Sequence, residues 1–110
     1  MTTAELLNSI EDQYRAQIEL IKSKSADYAR PDSDTLSNFR NSQVVGVSLE
    51  KGILVRVMDK ISRISILLCK EPHVKDESIK DSLRDARNYL HILESVIEEK
   101  GKNPPPPIPF

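Results

Sequence analysis

The segment SLEKGILVRVMDKISRISILLCK, Ser48 to Lys70, would be apolar around most of its circumference as a helix. With each residue advancing by about 100°, Leu54, Val57, Met58, Ile61, Ile64 and Leu68 share one face, and Ile53, Val55, Ile66 and Leu67 lie on its flanks. Arg56, Asp59, Arg63 and Lys70 stand opposite, with Lys60 at the margin. A helix with so little polar surface has to be covered on several sides, so it is expected at the centre of a helical bundle. Ser48 is a good N-cap, Glu50 suits the positive first turn, and Pro72 marks a stop. The expected span is about 48–70.

Two more helices flank it. The first is expected over about 3–24, where Thr2 and Glu5 have capping-box spacing and Leu7, Ile10, Tyr14, Ile18 and Ile21 form one apolar stripe. The last is expected over about 77–100, capped by Asp76 or Ser78 and ended by Gly101. Its Ile79, Leu83, Ala86, Leu90, Leu93 and Ile97 step 4-3-4-3-4, a coiled-coil-like seam. A weaker stripe, Tyr89, Ile92 and Val96, lies away from that seam. Either a folded-back loop or another subunit would cover it, and a subunit, hence a homo-oligomer, is the preferred expectation.

The fold class is therefore all-α, three main helices in an antiparallel bundle, forming one domain over 1–101 with a proline-rich tail over 102–110. Gly is scarce at 3 residues and Trp absent, which suits helices better than a turn-rich β-sandwich. The formal net charge of -1 gives no global field toward nucleic-acid polymers or anionic membranes, so anion binding would need a local cluster of bases. No apolar run approaches membrane-spanning length, and no signal-peptide pattern is visible, so the cytoplasm is expected. Cys69 has no partner for a disulfide and no zinc-type spacing, so a buried structural thiol is expected.

Between the first two helices, SKSADYARPDSDTLSNFRNSQVVG carries Pro31 and many Ser and Asp residues and reads mostly as loop. Tyr28, Leu36 and Phe39 would anchor it to the body, and a short helix is plausible over DTLSNFRNSQVV. The tail, with four consecutive prolines, favours an extended polyproline segment.

Three polar groups carry chemical potential. Arg56, Lys60 and Arg63 project from adjacent turns, and guanidinium groups suit phosphate through paired hydrogen bonds. Spacing alone favours a solvated face with an ordinary Asp59–Arg63 ion pair. Against it, a helix apolar on so much of its surface is expected to be covered on most sides, and covered bases need anionic partners. Asp81 and Asp85 stand four residues apart on the last helix, with Asn88 beside them. Together with Asp59 these acids could hold magnesium beside a phosphate, and a surface charge network with Lys80, Arg84 and Arg87 explains the group almost as well. Asp27, Tyr28, Asn38 and Phe39 form a loop set able to stack on a base and read its edge, or merely to pin the loop.

Taken in order, SADYA, LSNF, EKGILVRVMDKISRI and VKDESIKDSLRDARNYL resemble the phage and bacterial family called nucleotide modification associated domain 1. The resemblance covers about residues 25–93. It implies an α-helical protein of phage or prophage origin working on nucleotides, and its "NY" adds Tyr89 beside Asn88 to the candidate site. The family in turn is similar to MazG-type all-α nucleoside triphosphate pyrophosphohydrolases, which hold magnesium on an ExxE and an ExxD pair. Here the corresponding segment reads DKIS, so Asp59 is matched with Ser62, and Ser82 precedes Asp85 by three residues. Phosphoanhydride hydrolysis needs carboxylates to fix the ion and orient water, whereas binding needs bases and a stacking surface.

The expected function is therefore a small nucleotide-binding protein, taking a linear or cyclic nucleotide and able to withdraw a defence signal in a bacterial host cytoplasm. Arg56, Lys60 and Arg63 would hold phosphate. Asp81 and Asp85 would bind magnesium or orient the bases. The competing expectation is a divergent magnesium-dependent pyrophosphohydrolase.

Overall fold

The computed structural model describes residues 1–28, 36, 39–70 and 72–102, and at 24–28 and 72–77 the helical backbone alone. Among the described residues four helices follow in order: α1 (Thr3–Tyr28), α2 (Asn41–Val44), α3 (Leu49–Leu68) and α4 (Pro72–Lys102). Among the described residues there is no strand, and no described helix is long and apolar enough to cross a membrane. The chain divides into two compact units, Met1–Thr35 and Leu36–Phe110.

The first unit is α1. Its start is the capping box expected from TTAE: the Thr2 amide donates to Glu5 Oε2 at 2.8 Å, and the Glu5 amide donates to Thr2 Oγ1 at 3.1 Å. The helix runs four residues beyond the expected Lys24, because Ser25–Tyr28 contains neither Gly nor Pro to stop it. Asp27 and Tyr28, expected on a loop, therefore belong to the end of α1.

The second unit is built on α3 and α4, which pack closely along their length. Glu50 meets Lys100 near one end of the pair and Lys60 meets Asp85 farther along, so the two helices run antiparallel. The N-cap of α3 is Ser48, whose side chain accepts the Lys51 amide at 3.2 Å. The helix stops at Leu68, and Cys69 takes the C-cap: its amide donates to the Ile66 carbonyl at 3.1 Å and the Lys70 amide to the Leu67 carbonyl at 3.1 Å. The end position exposes Cys69, correcting the expected burial.

Pro72 opens α4 instead of separating two helices. A proline lacks only an N–H that the first turn would leave unbonded, and its φ is already helical. Gly101, expected as the stop, lies inside the last turn. The proline tail at 103–110 lies outside the described residues.

The core gathers Phe39, Leu49, Ile53 and Val96, with Leu36, Tyr89, Ile92 and Leu93 packed against it. Ile53 is fully enclosed. This corrects the expected seam of α4. Ile79, Ala86 and Leu93 do turn inward, but the second row is Ser82, Tyr89 and Val96, while Leu83, Leu90 and Ile97 are 41%, 47% and 57% exposed. The stripe assigned to another subunit is thus covered by Phe39 from the chain's own connecting segment.

That segment is pinned by α2. The Gly46 amide reaches the Gln43 carbonyl and the Val47 amide the Ser42 carbonyl, a Schellman closure with Gly46 at φ +81. Ser42 Oγ donates to the Phe39 carbonyl at 2.9 Å. It also lies against Gly52 of α3, where a Cβ would come within 2.5 Å of Ser42 Oγ and 2.9 Å of its Cβ. Gly52 therefore permits the close approach that seats Phe39. Replacing a helical glycine by alanine normally gains about 1 kcal/mol of helix propensity. Gly52→Ala is nevertheless expected to lower the thermal midpoint, and a raised midpoint in thermal unfolding would show that Ser42 yields freely.

Candidate functional site

An open cleft of about 310 Å³ lies on the α3–α4 pair, lined by Arg56, Asp59, Lys60, Arg63 and Tyr89. Four of its five walls come from one flank of α3, where steps of three and four residues stack side chains on successive turns. Tyr89 closes it from α4. Three bases face one acid on these walls, a local positive site within a chain of net charge -1.

The bases are not equivalent. Lys60 Nζ pairs with Asp85 Oδ2 at 3.0 Å. Arg56 places its guanidinium carbon 6.0 Å from the Phe39 ring centroid, a cation–π distance. Phe39 in turn meets Tyr89 edge-on, with centroids 5.8 Å apart and planes at 86°. Among the described residues, neither Arg56, Asp59 nor Arg63 has an ion-pair partner within 4.0 Å. The Asp59–Arg63 pair that a solvated face would supply is therefore not formed, and both arginines keep their guanidinium donors for another acceptor.

The remaining candidates separate around this cleft. Phe39 is 9% exposed and lies in the core, so it positions Tyr89 and Arg56 and is not itself a cleft wall. Asn88 is half-buried, about 100° around α4 from Tyr89, and does not line the cleft. The side chains of Asp27 and Tyr28, and Asn38 altogether, lie outside the described residues. The acids do not assemble into a three-carboxylate set: among the described residues, no group of three or more His, Cys, Asp or Glu side chains could hold a metal ion. Asp59 lines the cleft, Asp85 is engaged by Lys60, and Asp81 lies 4.0 Å from Arg84. The base-orienting role expected for Asp85 thus has a partner in place.

A smaller hollow of about 210 Å³ is lined by Leu36, Arg40, Leu49, Val96, Glu99 and Lys100. Beside it Lys100 is held by Glu50 at 2.7 Å. The Phe39–Tyr89–Arg56 stack was not foreseen as a unit. The sequence signal was there in the SNF and NY pairs, but which ring would be covered depends on packing between distant segments.

The chain matches no family model, and comparison with curated proteins and with solved structures gives no significant match.

The Lys60–Asp85 pair yields a test of what the acids do. Asp85→Asn frees the Lys60 ammonium, and a half-exposed pair is worth up to about 1 kcal/mol. Affinity for inorganic pyrophosphate, measured by calorimetry with and without magnesium, is expected to rise severalfold in both conditions. A loss confined to the magnesium-containing titration would instead make Asp85 a metal ligand.

Proposed function

We propose that the protein binds a nucleotide in the Arg56–Arg63–Tyr89 cleft and holds it without hydrolysis, working as a homo-oligomer. The observation that carries this reading is the convergence, on one open cleft, of one aromatic ring and two guanidinium groups that have no carboxylate partner among the described residues. Arg56 and Arg63 would take phosphate oxygens through paired, charge-assisted hydrogen bonds. Tyr89, braced edge-on by Phe39, would offer a ring against which a base can stack. Lys60 would contribute charge while tethered to Asp85, and Asp59 at the rim would accept from a sugar hydroxyl or a base amine.

Retention over turnover is favoured by the same distribution of charge. A hydrolytic site of the magnesium type concentrates carboxylates around an ion and an attacking water. Here one acid lines the cleft and the adjacent one is neutralised by a lysine. In a phage setting, as the resemblance of the VRVMDKISRI and DESIKDSLRD blocks implies, holding a nucleotide intact would withdraw a signal used by host defence.

The experiment is direct. The pure protein is incubated with linear and cyclic nucleotides and magnesium, separated from free ligand, and heat-released. One nucleotide species recovered intact and in proportion to protein supports the reading. Release of pyrophosphate or a monophosphate points to the pyrophosphohydrolase instead. Arg63→Ala is expected to weaken binding at least about tenfold, since a hydrogen bond to a charged group contributes roughly 1.5–3 kcal/mol, while the far-ultraviolet circular dichroism stays helical. Unchanged affinity would remove Arg63 from the site.

A further inference from the structure

The α3–α4 pair has a second face, opposite the cleft. On α3, Arg56 and Arg63 stand on one flank of the buried row, and Leu54, Met58, Ile61 and Leu68 stand on the other, all four between 45% and 59% exposed. Ser65 completes that stripe, so about 20 Å of helix carries no charge. On α4, Tyr89 borders the cleft while Leu83 and Leu90 lie across the buried row from it, again exposed. Because the helices are antiparallel, the two apolar rows come out on the same side of the pair.

We infer that this face is where a second copy of the chain docks, joining two α3–α4 pairs into a four-helix bundle. The inference rests on the homo-oligomer part of the proposed function and is independent of the nucleotide. Three observations select a second copy. First, the six side chains expose on the order of 500 Å² of apolar surface, more than isolated surface residues present and most of the ~800 Å² per partner of a standard interface. Second, the rows have the three-, four- and seven-residue spacing by which bundle helices interlock at small crossing angles. Third, they are symmetric about one level. The α3 row is centred on Ile61, and Ile61 and Leu90 stand within about a turn of each other along the antiparallel pair, judged from the Lys60–Asp85 and Glu50–Lys100 contacts.

A two-fold axis at that level, crossing the helices, lays α3 on its symmetry mate and α4 on its own. It brings Arg87 toward the second copy's Glu94, since the two positions are almost equidistant from Leu90 in sequence. Arg87 is half-buried on this flank of α4. Glu94 is exposed on the same flank of α4. Opposite charges at the rim of an uncharged centre are the distribution an isologous contact needs.

The test measures the mass of the full chain by light scattering during gel filtration at about 100 μM protomer, because association follows mass action. The wild type is expected at twice the 12.5 kDa chain mass or an even multiple of it. Ile61→Glu is expected to halve the mass with its helical circular dichroism intact. In a Cys69→Ser background, Ile61→Cys is expected to form a disulfide-linked dimer on mild oxidation, and this readout decides the matter if Ile61→Glu fails to fold. A monomeric wild type overturns both the homo-oligomer and this surface. An oligomer whose mass ignores Ile61→Glu, or an Ile61→Cys chain that never cross-links, overturns this surface alone.

Discussion

Phe39 ties the fold to the cleft. Its ring enters the core beside Leu49, Ile53 and Val96. One side of that ring is met edge-on by Tyr89 and another lies under the Arg56 guanidinium. The ring therefore does three things at once: it covers the second stripe of α4, it sets the tilt of the tyrosine, and it holds one arginine at the lip of the cleft. Its own position depends on small residues. Gly52 leaves room for Ser42, Ser42 takes the Phe39 carbonyl, and Gly46 turns the backbone so that α3 can begin at Leu49. A binding surface made of long, flexible side chains gains specificity when one of them is braced in this way, because less rotamer entropy is lost on binding.

Electrostatics then divides the polar residues into engaged and available. Lys60 and Asp85 neutralise one another across the helix pair, and Lys100 and Glu50 do so near its end. Arg56 and Arg63 line the open cleft with Asp59 as their nearest acidic neighbour in the helix, yet form no ion pair among the described residues. The cost of keeping two exposed guanidinium groups close together is modest in water, and it is offset when a phosphate arrives. The same economy of carboxylates argues against a hydrolytic centre. The two faces of the α3–α4 pair are correspondingly unlike, one charged and concave, the other apolar and uncharged along α3.

Much of this was legible in the sequence, and the exceptions have identifiable causes. The Thr2–Glu5 box, the Ser48 cap and the basic flank of α3 are local features, set by spacing within a few residues, and they are found where expected. The start of α4 was misplaced because Pro72 breaks a helix at most positions and begins one at the first. The seam of α4 was misassigned for a different reason. The rows Ser82–Tyr89–Val96 and Leu83–Leu90–Ile97 flank the shared Ile79, Ala86 and Leu93, and the second row is the more apolar. Burial went to the first because Phe39, some fifty residues away in sequence, fills the space beside Tyr89. No periodicity within α4 carries that information. For the site, the three bases and Tyr89 line one cleft, whereas Phe39, expected against a base, is buried in the core.

The central claim is that Arg56, Arg63 and Tyr89 together receive a phosphate-bearing ligand. Nuclear magnetic resonance of the arginine Nε–H groups and of the tyrosine rings, during titration of the wild-type chain with the nucleotide recovered from the binding panel, tests this directly. The account predicts saturable shifts of the Arg56 and Arg63 side-chain signals and of the Tyr89 ring, with the Tyr14 ring unmoved. Shifts confined to other arginines, or a bound nucleotide that leaves Arg56 and Arg63 unperturbed, would contradict it.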